Sequence, residues 1–115
     1  MVQDVIIHSF IMSHRVKKHL PELRVLSMCT PRQRKAYLKH ANKSLIDCLS
    51  ECCVNTLKGN VPLAASQKKS LSRHKKHIRK AADKRNSSKS RRDTFIQKGG
   101  FLSAILGPIL RLLTG

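Results

Sequence analysis

The sequence predicts an all-α protein: a small helical domain of two to three helices, a basic helical segment, a separate apolar C-terminal tail, and part of the chain disordered. Three observations carry this. A helix-start signal stands at Thr30-Pro31-Arg32-Gln33, apolar residues then recur every three or four positions, and a stop signal follows at Lys58-Gly59-Asn60.

Residues 1–27 form a mixed N-terminal extension in which Pro21 should end any helix begun earlier. No firm role falls to this stretch, and an alternative start at Met28 would leave it outside the functional unit. Val5–Met12 is apolar, but no basic residue precedes it and the charges follow it. That order does not fit a secretory signal, and the run is too short to cross a bilayer.

Residues 28–63 read as a helical hairpin. Thr30 supplies a capping hydroxyl, Pro31 the favoured first helical position and Gln33 the return partner of a capping box. Leu38, Ala41, Leu45, Leu49, Cys52 or Cys53, and Leu57 then draw one stripe. Asn42-Lys43-Ser44 interrupts the pattern, and Ser44 to Asp47 has the form of a second cap. Two helices over 31–41 and 44–58 result, with one bent helix as the alternative. Gly59 can take a left-handed conformation there, and Pro62 blocks continuation.

Residues 64–98 form the basic segment. Leu71, His74, Ile78 and Ala82 give a thin apolar stripe over a helix near 66–84; Arg85–Ser90 reads as a loop, and a short helix follows from Ser90 to Gln97. Residues 99–115 reverse in character: Gly99-Gly100, then an apolar tail broken by Gly107-Pro108. The tail has two readings. It is either a mobile segment for an interface or a protein groove, or a C-terminal helix completing the core.

Composition limits the function. Lys and Arg number 24 against 6 Asp and Glu, a net charge of +18 on 115 residues. Such an excess repels itself and calls for an anionic partner or high salt. Leu, Ile, Val and Phe together number 31, enough for a partial core, whereas a chain this short buries too little for a large enzyme core. With no Trp, one Tyr and three Phe, aromatic stacking is not the main recognition device.

The charge concentrates in residues 68–98, where 13 Lys or Arg face only Asp83 and Asp93. An ordinary solvated face mixes both signs, so binding to a polyanionic backbone is the better reading. Lys69, Arg73, Lys76, Lys80 and Lys84 follow one side of a helix, with Lys68, Lys75 and Arg79 on a neighbouring strip. Together with Arg85, Lys89, Arg91 and Arg92 these are the predicted phosphate contacts. Neutralising some ten phosphates gives a log–log salt slope near −9. No aromatic interrupts the block and no arrangement reads base edges, so binding without regard to sequence is expected.

The remaining constellations have bland readings. Cys29, Cys48, Cys52 and Cys53 do not make a disulfide framework and suggest reduced thiols in an intracellular compartment. Cys48 and Cys52 with His40 lack the second ligand pair of a structural zinc site, so no metal is predicted; Cys53 is expected to be partly exposed and oxidisable. Asp47 and Glu51, with Lys43 a turn earlier, read as a surface ion-pair ladder. His74 and His77 lack a nucleophile or acid partner, and no phosphate loop or nucleophile elbow occurs. The expectation is a non-enzyme without cofactor.

The order of the parts resembles a known family. A basic stretch, then Lys98-Gly99-Gly100-Phe101-Leu102, then Ile105-Leu106-Gly107-Pro108-Ile109-Leu110 resembles the C-terminal part of the adenovirus core protein mu precursor. It is also similar to small basic proteins of adenovirus-related mobile elements, the Polinton/Maverick and adintovirus group. There Thr30-Pro31-Arg32-Gln33-Arg34-Lys35, Leu57–Leu63 and Arg73-His74-Lys75-Lys76 extend the likeness over residues 28–115. The two differ in that this block favours lysine over arginine and that Gln97 stands four residues before a cut after Gly100. The adenoviral peptide also has no counterpart of the helical region before residue 64.

The resemblance implies a virion core protein, in the particle or the host nucleus, that condenses double-stranded DNA by charge neutralisation. It also implies a processing junction at Gly99 and Gly100 for a viral protease. Phe101, Leu102, Ile105, Leu106, Ile109, Leu110, Leu112 and Leu113 would then contact capsid proteins or a membrane. The alternative of a different class is a membrane-active or membrane-anchored cationic protein using that tail. A host RNA-binding or ribosome-associated protein shares the same charge logic.

Overall fold

The computed structural model describes residues 13–114; the apolar run Val5–Met12 lies outside them. Among the described residues every regular element is helical. Helix α1 (His14–Lys18) starts on Ser13, whose hydroxyl accepts from the Val16 N–H. It closes before Pro21, as predicted, and Pro21 then opens α2 (Leu20–Met28) from the first turn, where a missing N–H costs nothing. Helix α3 (Pro31–Lys39) carries the reciprocal capping box: the Gln33 N–H reaches Thr30 Oγ1 at 3.2 Å, and the Thr30 N–H reaches Gln33 Oε1 at 3.0 Å.

Two separate helices form after Thr30, not one bent one. Helix α4 (Lys43–Leu57) is capped by Asn42, two residues ahead of the predicted Ser44, with Asn42 Oδ1 accepting from the Leu45 N–H at 2.9 Å. Its end has the predicted form. Gly59 takes φ +76, the Gly59 N–H reaches the Thr56 carbonyl at 3.2 Å, and the Asn60 N–H reaches the Asn55 carbonyl at 2.9 Å. These are the two bonds of a Schellman motif.

The single helix expected over 66–84 is instead two, α5 (Ala65–Ser72) and α6 (Lys75–Ala82), split at Arg73-His74. The split lets each half face a different neighbour. Helix α6 packs on α4 and α7, whereas α5 reaches the C-terminal helix. After the loop, α7 (Ser88–Lys98) starts on the Ser87 hydroxyl, a little before the predicted Ser90.

Helix α4 is the centre of the fold. Leu45, Ile46, Cys48, Leu49, Cys52 and Cys53 are all buried along it, and α1, α6, α7 and the C-terminal helix pack around it. A helix apolar on most sides needs neighbours on most sides. Cys53 is therefore fully enclosed, which corrects its expected partial exposure.

The largest correction concerns the tail. Gly99–Phe101 form one 3₁₀ turn that leads directly into α8 (Leu102–Thr114), and Pro108 lies inside that helix without ending it. Phe101, Leu102, Ile105, Leu106 and Ile109 are buried, with Leu110, Leu112 and Leu113 packed at the core's edge. An interior proline costs about 3 kcal/mol; burial of large apolar side chains returns about 1.5–3 kcal/mol each, so packing prevails. The tail is thus part of the core and not a separate segment.

Helix α8 lies mainly along α2. Val16, Leu23 and Leu26 from the N-terminal stretch are buried in the same core, so residues 13–27 belong to the folded unit. A chain starting at Met28 would lack one wall of α8's packing.

Candidate nucleic-acid interface

The basic face follows from how helices α5 to α7 are buried. Leu71 on α5 and Ile78, Ala81 and Ala82 on α6 turn inward. The intervening positions then point outward: Lys68, Lys69, Arg73, Lys75, Lys76, Arg79 and Lys80 are exposed, as are Lys84 in the following loop and Lys89 at the start of α7. These are nine of the twelve predicted phosphate contacts. Among the described residues none of the nine is held in an ion pair.

The other three arginines are engaged elsewhere. Arg91 is turned into the fold and only 3% exposed. Its guanidinium lies 2.9 Å from Asp47 Oδ1, donates to Ser50 Oγ at 2.8 Å and reaches the Asn86 carbonyl through Nε at 3.1 Å. Ser50 Oγ in turn donates to the Ala81 carbonyl at 2.7 Å. A buried guanidinium persists only where counter-charge and acceptors surround it, and α4 supplies them. Arg92 is half-buried and donates to the Ala41 carbonyl at 2.8 Å. Arg85 is exposed, but both oxygens of Asp83 hold it, the closest at 2.8 Å. The same hydrogen bonds hold the Asp83 carboxyl down at about 2.

Asp47, Glu51 and Asp83 thus pair with cations other than the nine. Asp47 was expected on a surface ladder; its pairing with Lys43 Nζ at 2.7 Å is present, but the carboxylate is mostly buried and shared with Arg91. Burial alone would raise its pKa; the hydrogen bonds and charges of Lys43 and Arg91 outweigh that and hold it below the ordinary carboxylate value. Glu51 lies 4.0 Å from Arg15. Glu22 holds His19.

A polar cleft of about 440 Å³ runs between α6 and the length of α7. Lys80 and Lys89 line it with His77 and Lys98, two residues outside the predicted set, and with the acid Asp93. The end of the cleft at Ser87 and Lys89 is the N-terminus of α7, so a phosphate oxygen placed there meets a cation and the positive end of a helix together. Sequence reasoning missed His77 and Lys98 because only the packing of α6 on α7 brings them together.

No protein-family model, curated protein or solved structure matches this chain.

Gly99 and Gly100, the predicted processing junction, sit in the turn between α7 and α8. Gly99 is buried, and a Cβ there would stand 3.3 Å from Arg34 Nε. A side chain there would press on that of Arg34. Gly100 is exposed, with open space where a Cβ would stand. Cutting after it would require the turn to open into an extended strand.

One constellation escaped the sequence reading altogether. His19 is 3% exposed, its Nδ1 2.8 Å from Glu22 Oε1 and its Nε2 2.8 Å from Ser44 Oγ. The order is that of an acid, a base and a hydroxyl, with the imidazole enclosed between its two partners. The histidine ties the α1–α2 corner to the first turn of α4.

Proposed function

We propose that this protein binds the backbone of double-stranded DNA without regard to sequence and condenses it, as a virus- or transposon-derived core protein. One observation carries the reading: among the described residues, nine exposed lysines and arginines between Lys68 and Lys89 stand without ion-pair partners, while Asp47, Glu51 and Asp83 sit against other cations. A rigid row of uncompensated cations gains by displacing the counterions condensed on a duplex. The resemblance to basic core proteins of adenovirus-related elements supports the same partner. Capsid proteins and a processing protease belong to this proposal through that resemblance alone.

Gel retardation of two unrelated duplexes, repeated across a salt series, tests it. Equal affinities and a log–log slope of about −8 are expected if all nine cations meet phosphates. Strong preference for one duplex, or for RNA over DNA, would overturn it.

A second reading, a membrane-active protein, draws on residues 88–113, a stretch long and apolar enough by length and composition to cross a bilayer. It requires α8 to leave its packing on α2 and expose Ile105, Leu106 and Ile109. Flotation of the full chain with anionic liposomes tests it directly.

A further inference from the structure

A second cleft, of about 580 Å³, lies between the end of α4, the 58–64 segment and the α5–α6 pair. Leu71 and Ile78 are its buried floor, Leu57, Val61, Pro62 and Leu63 its apolar wall, and Lys68 and Lys75 also line it. No carboxylate is among its lining residues.

The wall is held in place. Gly59 in its left-handed conformation turns the chain, and Asn60 is fastened to Asn55 twice, backbone to backbone at 2.9 Å and side chain to side chain at 3.0 Å. Leu57 is left 38% exposed at the edge. A preformed concavity of this size, apolar with a few polar groups, is the form of a small-molecule site.

Its chemistry differs from that of the rest of the basic face. A DNA phosphate needs cations but offers nothing to Leu57, Leu71 or Ile78. Two lysines beside an apolar hollow without an acid match a ligand with one anionic end and one hydrocarbon end. We propose that this cleft binds a single-chain anionic amphiphile, a soluble fatty carboxylate. The chain lies along Leu57, Leu71 and Ile78, and the carboxylate meets Lys68 and Lys75. This inference goes beyond DNA binding and does not depend on it.

The test is calorimetric titration of the full chain with octanoate, decanoate and dodecanoate, each below its micelle concentration, at about 0.15 M salt. Each added methylene should tighten binding by up to about fourfold until the cleft is filled. The double variant Lys68→Gln/Lys75→Gln should weaken decanoate by about tenfold and leave decanol unchanged. Leu57→Gln, a neutral change at an edge position, should reduce the dependence on chain length while plasmid retardation on the same samples stays as it was. Lys39→Gln, an exposed lysine of α3 away from the cleft, should change nothing.

Affinity independent of chain length would overturn the proposal, since that is ion pairing with any lysine. So would an equal loss in Lys39→Gln, or association seen only as flotation with anionic vesicles and never with monomeric carboxylate. Plasmid retardation in the same preparations reports on DNA binding separately, so either reading can fail alone.

Discussion

Arg91 on α7 and Asp47 on α4 form a buried ion pair, 2.9 Å between guanidinium nitrogen and carboxylate oxygen, beneath a face on which nine lysines and arginines are exposed. Removing one partner leaves the other charged and buried. Arg91→Ala should therefore destabilise the fold by about 3 kcal/mol, read as a lower urea midpoint. The double variant Arg91→Met/Asp47→Asn should recover part of that loss, because neither charge is then stranded. Arg91→Ala that unfolds like the parent would place the guanidinium in solvent.

The pair also sets a pH dependence. Asp47 has its pKa lowered in the folded state, with Lys43 and Arg91 outweighing its burial. A depressed carboxylate contributes stability that is fully present above its unfolded value and is lost as pH falls through the folded value. Urea midpoints should fall from about pH 4 downward, and Asp47→Asn should flatten that limb. Equal acid sensitivity in parent and variant would contradict it.

Thiol reactivity checks the burial around α4. Cys52 is raised by its hydrogen bond to Cys48 and by burial, and Cys53 by burial alone; both, with Cys48, are enclosed. Thiolates are the reactive form, so a disulfide reagent at neutral pH should label one cysteine of the native protein, Cys29, which is partly exposed. Four should label in denaturant. Rapid native labelling of three or more would mean that α4 is not the centre of the fold.

The C-terminal helix gives the sharpest test of the core. A chain ending at Lys98 loses Phe101, Leu102, Ile105, Leu106 and Ile109, all buried. At about 1.5–3 kcal/mol each, that loss is as large as the 5–15 kcal/mol by which domains are stable. The shortened chain should show no cooperative thermal transition, and Ile105→Ala in the full chain should cost about 2–5 kcal/mol. Cooperative unfolding without residues 99–115 would restore the tail as a separate segment.

What the sequence could and could not reveal follows from the range of each interaction. Thr30 with Gln33 and the Gly59-Asn60 stop were legible because every partner lies within five residues. The split at Arg73-His74 was not, since α5 and α6 part to reach different neighbours. The inward turn of Arg91 was hidden for the same reason: in a block dense with cations, nothing local marks the one that meets Ser50, 41 residues away in the chain. Gly99-Gly100 and Gly107-Pro108 look like breaks by local rules, and Leu23 and Leu26 of α2 decide otherwise. On the basic face the stripe itself was legible; which arginines the fold withdraws from it was not.

The salt dependence of DNA retardation measures the central claim most directly. The full chain and the variant Lys69→Gln/Arg73→Gln/Lys76→Gln/Arg79→Gln/Lys80→Gln are compared on one duplex across a salt series. The slope should shrink by about 4.5, near 0.9 for each contact removed, with the variant as stable as the parent. An unchanged slope, or a parent that leaves duplex DNA unshifted at low salt, would contradict it.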